Sequence, residues 1–355
     1  MNTIISGSGS YIPEVDVSNM NFMENPFCLE DGRRIQKDNQ NVIEKFKEIT
    51  GIHARKYVRE DQSCSKIAAI AGEQAIRDSG IDRERIDMII VAHNFGDVRN
   101  GSDQVDIVPN IASRVKHELG IKNENCVPYD IIFGCPGWVQ GLIQAHIFIR
   151  AGEAKRCLVI GSEVLSRVLD PFDRDTMIFA DGAGAVIVEG KEEANERGII
   201  AHATLSHAEE ELHYLNMGES FNFFSRDETR FIKMKGHKIY QYALTKVPQA
   251  MKKCMDKAGI PIEELDKILI HQANEKMDEA IVKRFYRLYK RTDIPEHIMP
   301  MIIGELGNSS VATVPTLYDV IKKGKLPNHS INDGDTLLFA SVGAGMTING
   351  LVYKC

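Results

Sequence analysis

One tryptophan, Trp138, serves the whole 355-residue chain, and no apolar run approaches the roughly 18–20 residues that cross a bilayer. The N-terminus, MNTIISGSGSYIPE, lacks the basic start and apolar stretch of a signal peptide. No low-complexity tract occurs. The seven cysteines are scattered, with neither paired nor Cys-x-x-Cys spacing, so neither a disulfide framework nor a zinc site is expected. A reducing, cytoplasmic setting without membrane contact follows. Positive charge is also short: 43 Lys and Arg face 50 Asp and Glu, a net charge of −7. That balance excludes a general nucleic-acid binder. It also means that an acidic partner would need a local basic patch to dock. What remains is an ordinary globular composition, 43% hydrophobic and 26% charged, long enough for two domains or one duplicated domain.

Strand-like and helix-like stretches alternate. IDMIIVAHN (within 81–94), CVPYDIIFG (126–134), CLVIGSEVL (157–165) and GAVIVEG (184–190) read as strands. CSKIAAIAGEQAIRDSG, IASRVKHELG and GWVQGLIQAHIFIRAG carry helical periodicity between them. The alternation predicts an α/β fold with a largely parallel sheet covered on both faces. The second part repeats the pattern through DKILIHQAN, DEAIVKRFYRLYK, SSVATVPTLYDVIKKG and DTLLFASVGAGMTINGLVYK. FADGAGAVIVEG and FASVGAGMTINGLV each read as an apolar end, a Gly-Ala-Gly turn and a strand. This suggests duplicated halves, 1–195 and 196–355, joined by the polar hinge KEEANER. The early stretch NFMENPFCLEDGRRIQKDNQN reads as a surface loop with short helical pieces.

Three residues carry chemistry. Cys135 in IIFGCPGWVQGL follows a strand, and Pro136 suits the first turn of a helix. A cysteine beside a helix N-terminus meets unpaired N–H groups and the positive dipole end, which favour thiolate. Gly134 and Gly137 are read as allowing close approach of a substrate. An arbitrary cysteine in an apolar run is more often buried structure, but the Gly-Cys-Pro-Gly setting favours a nucleophile. His271 follows the apolar KILI, at a strand end where open α/β sheets bind ligands. Asn308 stands in Gly-Asn-Ser-Ser at a helix start, where capping is the bland explanation. Together, a thiol nucleophile and two neutral hydrogen-bond donors suit carbon–carbon bond formation on a thioester.

The Cys135 elbow, His-Gln-Ala-Asn at 271–274, Gly-Asn-Ser-Ser at 307–310 and the late Gly-Ala-Gly resemble β-ketoacyl-acyl carrier protein synthase III, of the thiolase-like superfamily. The likeness extends to Tyr11-Ile12-Pro13, Thr50-Gly51-Ile52, Asp170 to Arg174, Asp181 to Ala185, and Phe231 to Gly236. It implies a five-layer αβαβα fold of two duplicated halves, in a homodimer. It implies that Cys135 accepts an acyl group, with its own N–H and that of Gly345 forming the oxyanion hole. His271 and Asn308 would bind the thioester oxygen of malonyl-acyl carrier protein and stabilise the enolate left by loss of CO2. The substrates would be acyl-coenzyme A or acyl-carrier-protein thioesters, with no permanently bound cofactor and no metal. Alternatives that use the same cysteine are acyl transfer and non-decarboxylative Claisen condensation. Another is a non-catalytic partner subunit that binds a carrier protein.

On the helix after His271, Lys276, Lys283, Arg287 and Lys290 share one face at 3.6 residues per turn, bordered by Arg284 and Arg291. Met277, Ile281, Phe285 and Leu288 are predicted to form the apolar face. A solvated helix face is the plain reading. The resemblance makes Lys276, Lys283 and Arg284 a dock for the acyl carrier protein, and Arg287 of the same stripe is counted with them. It also gives Arg174 to coenzyme A, opposite a stacking tryptophan. Here Lys45 or Phe46 stands where that tryptophan is usual. Val108 falls where a bulky residue limits the acyl pocket, which implies a larger pocket.

Overall fold

Two mixed β-sheets lie face to face with helices between them and on both outer sides. This computed structural model describes every residue except 193, 195, 196 and 225–227. The first sheet contains β1 (Asn2–Tyr11), β2 (Met88–Ala92), β3 (Val127–Ile131), β4 (Arg156–Val164) and β5 (Asp181–Lys191), in the order β1-β5-β4-β2-β3. The second contains β6 (Gly198–Ser206), β7 (Lys267–Ile270), β8 (Thr336–Gly343) and β9 (Thr347–Lys354), in the order β6-β9-β8-β7.

Helix α1 (Asn39–Thr50) packs beside the layers. Helices α2 (Cys64–Ser79) and α3 (Ile111–Glu118) cover the outside of the first sheet. Next, α4 (Gly137–Ala151) and α7 (Thr313–Lys322) fill the middle layer, while α5 (Gly236–Ala258) and α6 (Glu275–Arg287) cover the second sheet. These are the five layers of the expected fold. The middle layer is a continuous apolar core built from Trp138, Leu142, Val159, Val186, Leu317, Phe339 and Leu351, drawn from both sheets and both helices. Each such side chain contributes about 1.5–3 kcal/mol by leaving water. Trp138 is a core residue, donating its N–H to the Val159 carbonyl at 3.3 Å and meeting Phe339 edge-on.

The sheets are less parallel than the alternation implied. In the first, β2 runs parallel to β3 and β4, but β4–β5 and β1–β5 are antiparallel. In the second, only β7–β8 is parallel. The cause is the late return of each half, which sends its last strand back along the one before. The first Gly-Ala-Gly is not a turn either. Gly182 and Gly184 lie inside β5, and a Cβ on Gly184 would stand 2.7 Å from both Pro315 Cβ and Thr316 N. Glycine is there so that α7 can press on the strand. The 195/196 division lies outside the described residues.

Residues 21–41 begin in a short 3-10 turn, Asn19–Phe22, and end in the first turn of α1, and between them Cys28 bridges Arg34. The stretch is anchored rather than a plain surface loop. Phe27 is buried, and the Cys28 N–H donates to the Phe172 carbonyl at 2.7 Å.

Candidate active site

After β3 the chain turns through Gly134, at φ +65°, into α4, whose N-cap is Pro136. Cys135 sits one residue earlier. A Cβ on Gly134 would lie 2.7 Å from Ala344 N, and one on Gly343 would lie 2.4 Å from Cys135 N. A Cβ on Gly137 would lie 3.0 Å from Ala92 Cβ. These glycines let the cysteine elbow pack closely on the protein, chiefly on the turn between β8 and β9, and Gly134 also lines the cavity beside Cys135. The same turn carries Gly345, at φ +74°, where a Cβ would meet only Thr347 Cγ2, at 4.0 Å.

His271 follows β7 and donates its N–H to the Ala340 carbonyl on β8 at 2.8 Å. Its neighbours in the motif are structural. The Gln272 amide spans Pro300 and Ile302 (2.8 and 2.9 Å), and Asn274 caps α6 by accepting from Met277 N–H at 3.0 Å. Asn308 is not a helix cap, because α7 begins only at Thr313 with Ala312 as N-cap. Instead its backbone bridges the strand-like Phe179, donating to Ile178 and accepting from Ala180, each at 2.9 Å.

Ser310 links the three. Its N–H donates to Asn308 Oδ1 at 2.8 Å, and its hydroxyl donates to Cys135 Sγ at 3.3 Å. Its backbone lies against the His271 imidazole. Because the carboxamide oxygen of Asn308 is taken, the NH2 group remains as the donor for a ligand. Ser310 has φ +52°, a left-handed conformation that serine adopts only when its surroundings impose it. The sequence reading passed over Ser310, although it lies two residues from Asn308. It passed over Asn94 as well, which joins Cys135 and Ser310 in a cavity of about 120 Å3. Phe95, Leu165, Phe179, Leu215, Met217 and Ile232 give that cavity apolar walls.

Burial decides the protonation states. The Cys135 thiol is pushed up to about 11 by burial, opposed by the Ser310 hydrogen bond and assisted by the nearby Glu163 carboxylate. At ordinary pH it therefore rests as a thiol. Burial also brings His271 down to about 4, so its imidazole is neutral at ordinary pH.

The remaining candidates lie farther out. Lys276, Lys283, Arg284 and Arg287 are exposed on α6. Lys283 approaches Glu279, and Arg284 donates to the Leu244 carbonyl. The apolar face differs from the predicted one: Leu288 is exposed, while Asp278, Val282 and Tyr286 are buried beside Met277, Ile281 and Phe285. Leu288 lies past the last helical residue, where the face turns to solvent. Arg174 is half-exposed and 3.6 Å from Asp175. Lys45 is exposed and pairs with Glu48, whereas Phe46 packs under the buried Arg55 guanidinium. Val108 is 85% exposed and lines no part of the Cys135 cavity within one chain. Two residues on, Asn110 donates to the Pro128 carbonyl on β3, the outermost strand of the first sheet among the described residues.

Residues 129–207 match the family described as 3-oxoacyl-[acyl-carrier-protein (ACP)] synthase III, and residues 255–355 match its C-terminal family. The chain is 30% identical to the β-ketoacyl-[acyl-carrier-protein] synthase III of Staphylococcus haemolyticus, covering 100% of this chain and 99% of that one. The chain belongs to the synthase III family. It is 29% identical to the enzyme of the same name from Paracoccus denitrificans, over 99% of this chain and 98% of the other. Its structure matches that of the synthase III from Aquifex aeolicus with a TM-score of 0.80 at 27% identity, over 99% and 100% of the two chains. Like the rest of the synthase III family, it is a thiolase-like condensing enzyme.

Proposed function

We propose that this synthase III transfers an acyl group from a thioester to Cys135 and then condenses it with malonyl-acyl carrier protein. The supporting observation is that Ser310 hydrogen-bonds both Asn308 and, 175 positions away, Cys135, with its backbone beside the buried His271 imidazole. In the first step the sulfur attacks the thioester carbonyl. A C–S bond forms to Cys135, the incoming C–S bond breaks, and the thiol proton ends on the departing thiol. The N–H groups of Cys135 and Gly345 hold the oxyanion. In the second step CO2 leaves the malonyl group, and the enolate oxygen is held by neutral His271 and the NH2 group of Asn308. The enolate carbon attacks the acyl-cysteine, the carbon–carbon bond forms as the acyl C–S bond breaks, and the Cys135 thiolate released takes a proton from water to return to the resting thiol. Removing one such donor costs roughly 10²–10³ in rate. The small apolar cavity suits a short acyl tail.

The acyl donor is better suited by a carrier protein than by coenzyme A. Lys45 is committed to Glu48 and Phe46 to Arg55, so neither offers a flat exposed ring to adenine, and Asp175 already faces Arg174. Intact-mass analysis after a panel of acyl thioesters tests the reading, with Cys135→Ala as control. One acyl group on Cys135 and CO2 release from malonyl-acyl carrier protein are expected. An unmodified Cys135 would sink the proposal, and tight, saturable priming by acetyl-coenzyme A would sink the donor preference.

A further inference from the structure

Two carboxylates anchor two consecutive residues of the loop after β2. His93 Nδ1 accepts the Gly96 N–H at 3.0 Å, so Nε2 carries the ring proton and donates it to Asp130 at 2.9 Å. Asp130 in turn receives the Ile111 and Ala112 N–H groups at the start of α3. Next in line, Asn94 is held by Glu163, a fully buried residue on β4. Glu163 accepts the Asn94 backbone N–H at 3.3 Å and Asn94 Nδ2 at 2.5 Å. Burial lifts Glu163 to about 7, and in its ionised form it fixes which end of the amide faces it. The second Nδ2 hydrogen then reaches Ser310 Oγ at 3.1 Å. Since Ser310 Oγ accepts from Asn94, its single proton is free to point at Cys135 Sγ, 3.3 Å away.

We propose that Asn94 and Glu163 are positioning residues for Cys135: they aim the Ser310 hydroxyl at the sulfur, so that it supports the thiolate as the acyl group arrives and leaves. This rests on Cys135 being the acyl acceptor. A hydrogen bond to a charged acceptor is about twice as strong as a neutral one, and burial magnifies it. The titratable group facing Cys135 is Glu163, with His271 across Ser310. Glu163 itself faces His93 and the Asn94 and Phe95 N–H groups. When ionised, its negative charge by itself disfavours a thiolate. Its benefit therefore runs through the geometry of Asn94 and Ser310, which sets this role apart from direct electrostatic activation.

The test compares Ser310→Gly, Asn94→Ala, their double variant and wild type. Glycine suits the left-handed backbone at 310, so this variant removes the hydroxyl without adding strain. Acylation of Cys135 by the acetyl thioester of N-acetylcysteamine is followed by intact mass, and the pH midpoint of iodoacetamide alkylation is recorded. Ser310→Gly is expected to slow acylation about 10- to 100-fold and to raise the alkylation midpoint. Asn94→Ala should move both in the same direction, and the double variant should be no slower than Ser310→Gly. Glu163→Gln, which keeps an oxygen acceptor for Asn94, should retain more activity than Glu163→Ala. Additive losses with an unchanged midpoint overturn the proposal, as does a Ser310→Gly enzyme that acylates at the wild-type rate. Wild type that stays unmodified, like Cys135→Ala, overturns the nucleophile reading and this proposal together.

Discussion

A cysteine whose thiol is pushed up to about 11 holds only roughly a thousandth of its population as thiolate at pH 8, against about a quarter for an unperturbed thiol near 8.5. Burial is the cause, so alkylation of the resting enzyme by iodoacetamide should keep accelerating with pH up to about 11. A plateau near pH 8.5 would contradict this. The neighbouring donors should separate the two chemical steps. His271→Ala and Asn308→Ala are each expected to slow CO2 release from malonyl-acyl carrier protein by roughly 10²–10³, while Cys135 still accepts its acyl group. Intact mass and CO2 release measure the steps independently. Since burial brings His271 down to about 4, its protonation should impose no loss of CO2 release between pH 5 and 8. For stability the sign runs the other way from a raised group. The unfolded imidazole takes up a proton below about 6.5 and the folded one only near 4. The fold therefore loses stability from this residue as pH falls through that window.

Among the elements, glycines govern how strands and helices meet. Gly184→Ala would drive a Cβ to within 2.7 Å of the α7 backbone at Thr316. Main chain cannot give way as a flexible side chain does. A destabilisation of about 1–3 kcal/mol or more is expected, seen as a lower melting temperature. An unchanged melting temperature would refute it. On α6, reversing Lys276, Lys283, Arg284 and Arg287 to Glu should raise KM for malonyl-acyl carrier protein while leaving that for a malonyl-pantetheine thioester nearly unchanged. Surface charges act chiefly on encounter, so the difference should shrink at high salt. The strands and helices named from the sequence were legible because each keeps one hydrophobic period over its length, whereas β1, β6 and the long α5 went unread. Their ends and exceptions were not. Asp278 is buried on α6 where a period count would place it at the border, and Leu288 emerges because the helix stops at Arg287.

At the scale of the molecule, the two sheets share one plan. In each, the first strand lies antiparallel to the last, the last antiparallel to the one before, and that strand parallel to an inner one. This matching order supports the proposal of two duplicated halves. The first sheet also ends in β3, whose outer edge has no partner strand among the described residues. Val127 is 52% exposed and Ile132 is 64% exposed beside it. An apolar free edge invites pairing with another copy, and Val108 lies near that edge. We therefore expect a homodimer joined through β3. Ile132→Glu should shift it to monomer in sedimentation experiments, and an unchanged sedimentation coefficient would argue against this edge.

The sequence by itself determined the class of chemistry and the fold: Cys135, His271 and Asn308 each sit in a short motif, and local motifs survive reading one residue after another. It also determined that the basic residues of α6 share a face, because helical spacing is local. Only the tertiary structure decided that Ser310 would bind the sulfur, and that Asn94 would join Ser310 to Glu163 across 216 and 69 positions. It decided too that the thiol rests protonated. The reason is physical: hydrogen-bond partners and dielectric surroundings are set by which strands and turns are stacked together, and no single segment carries that information.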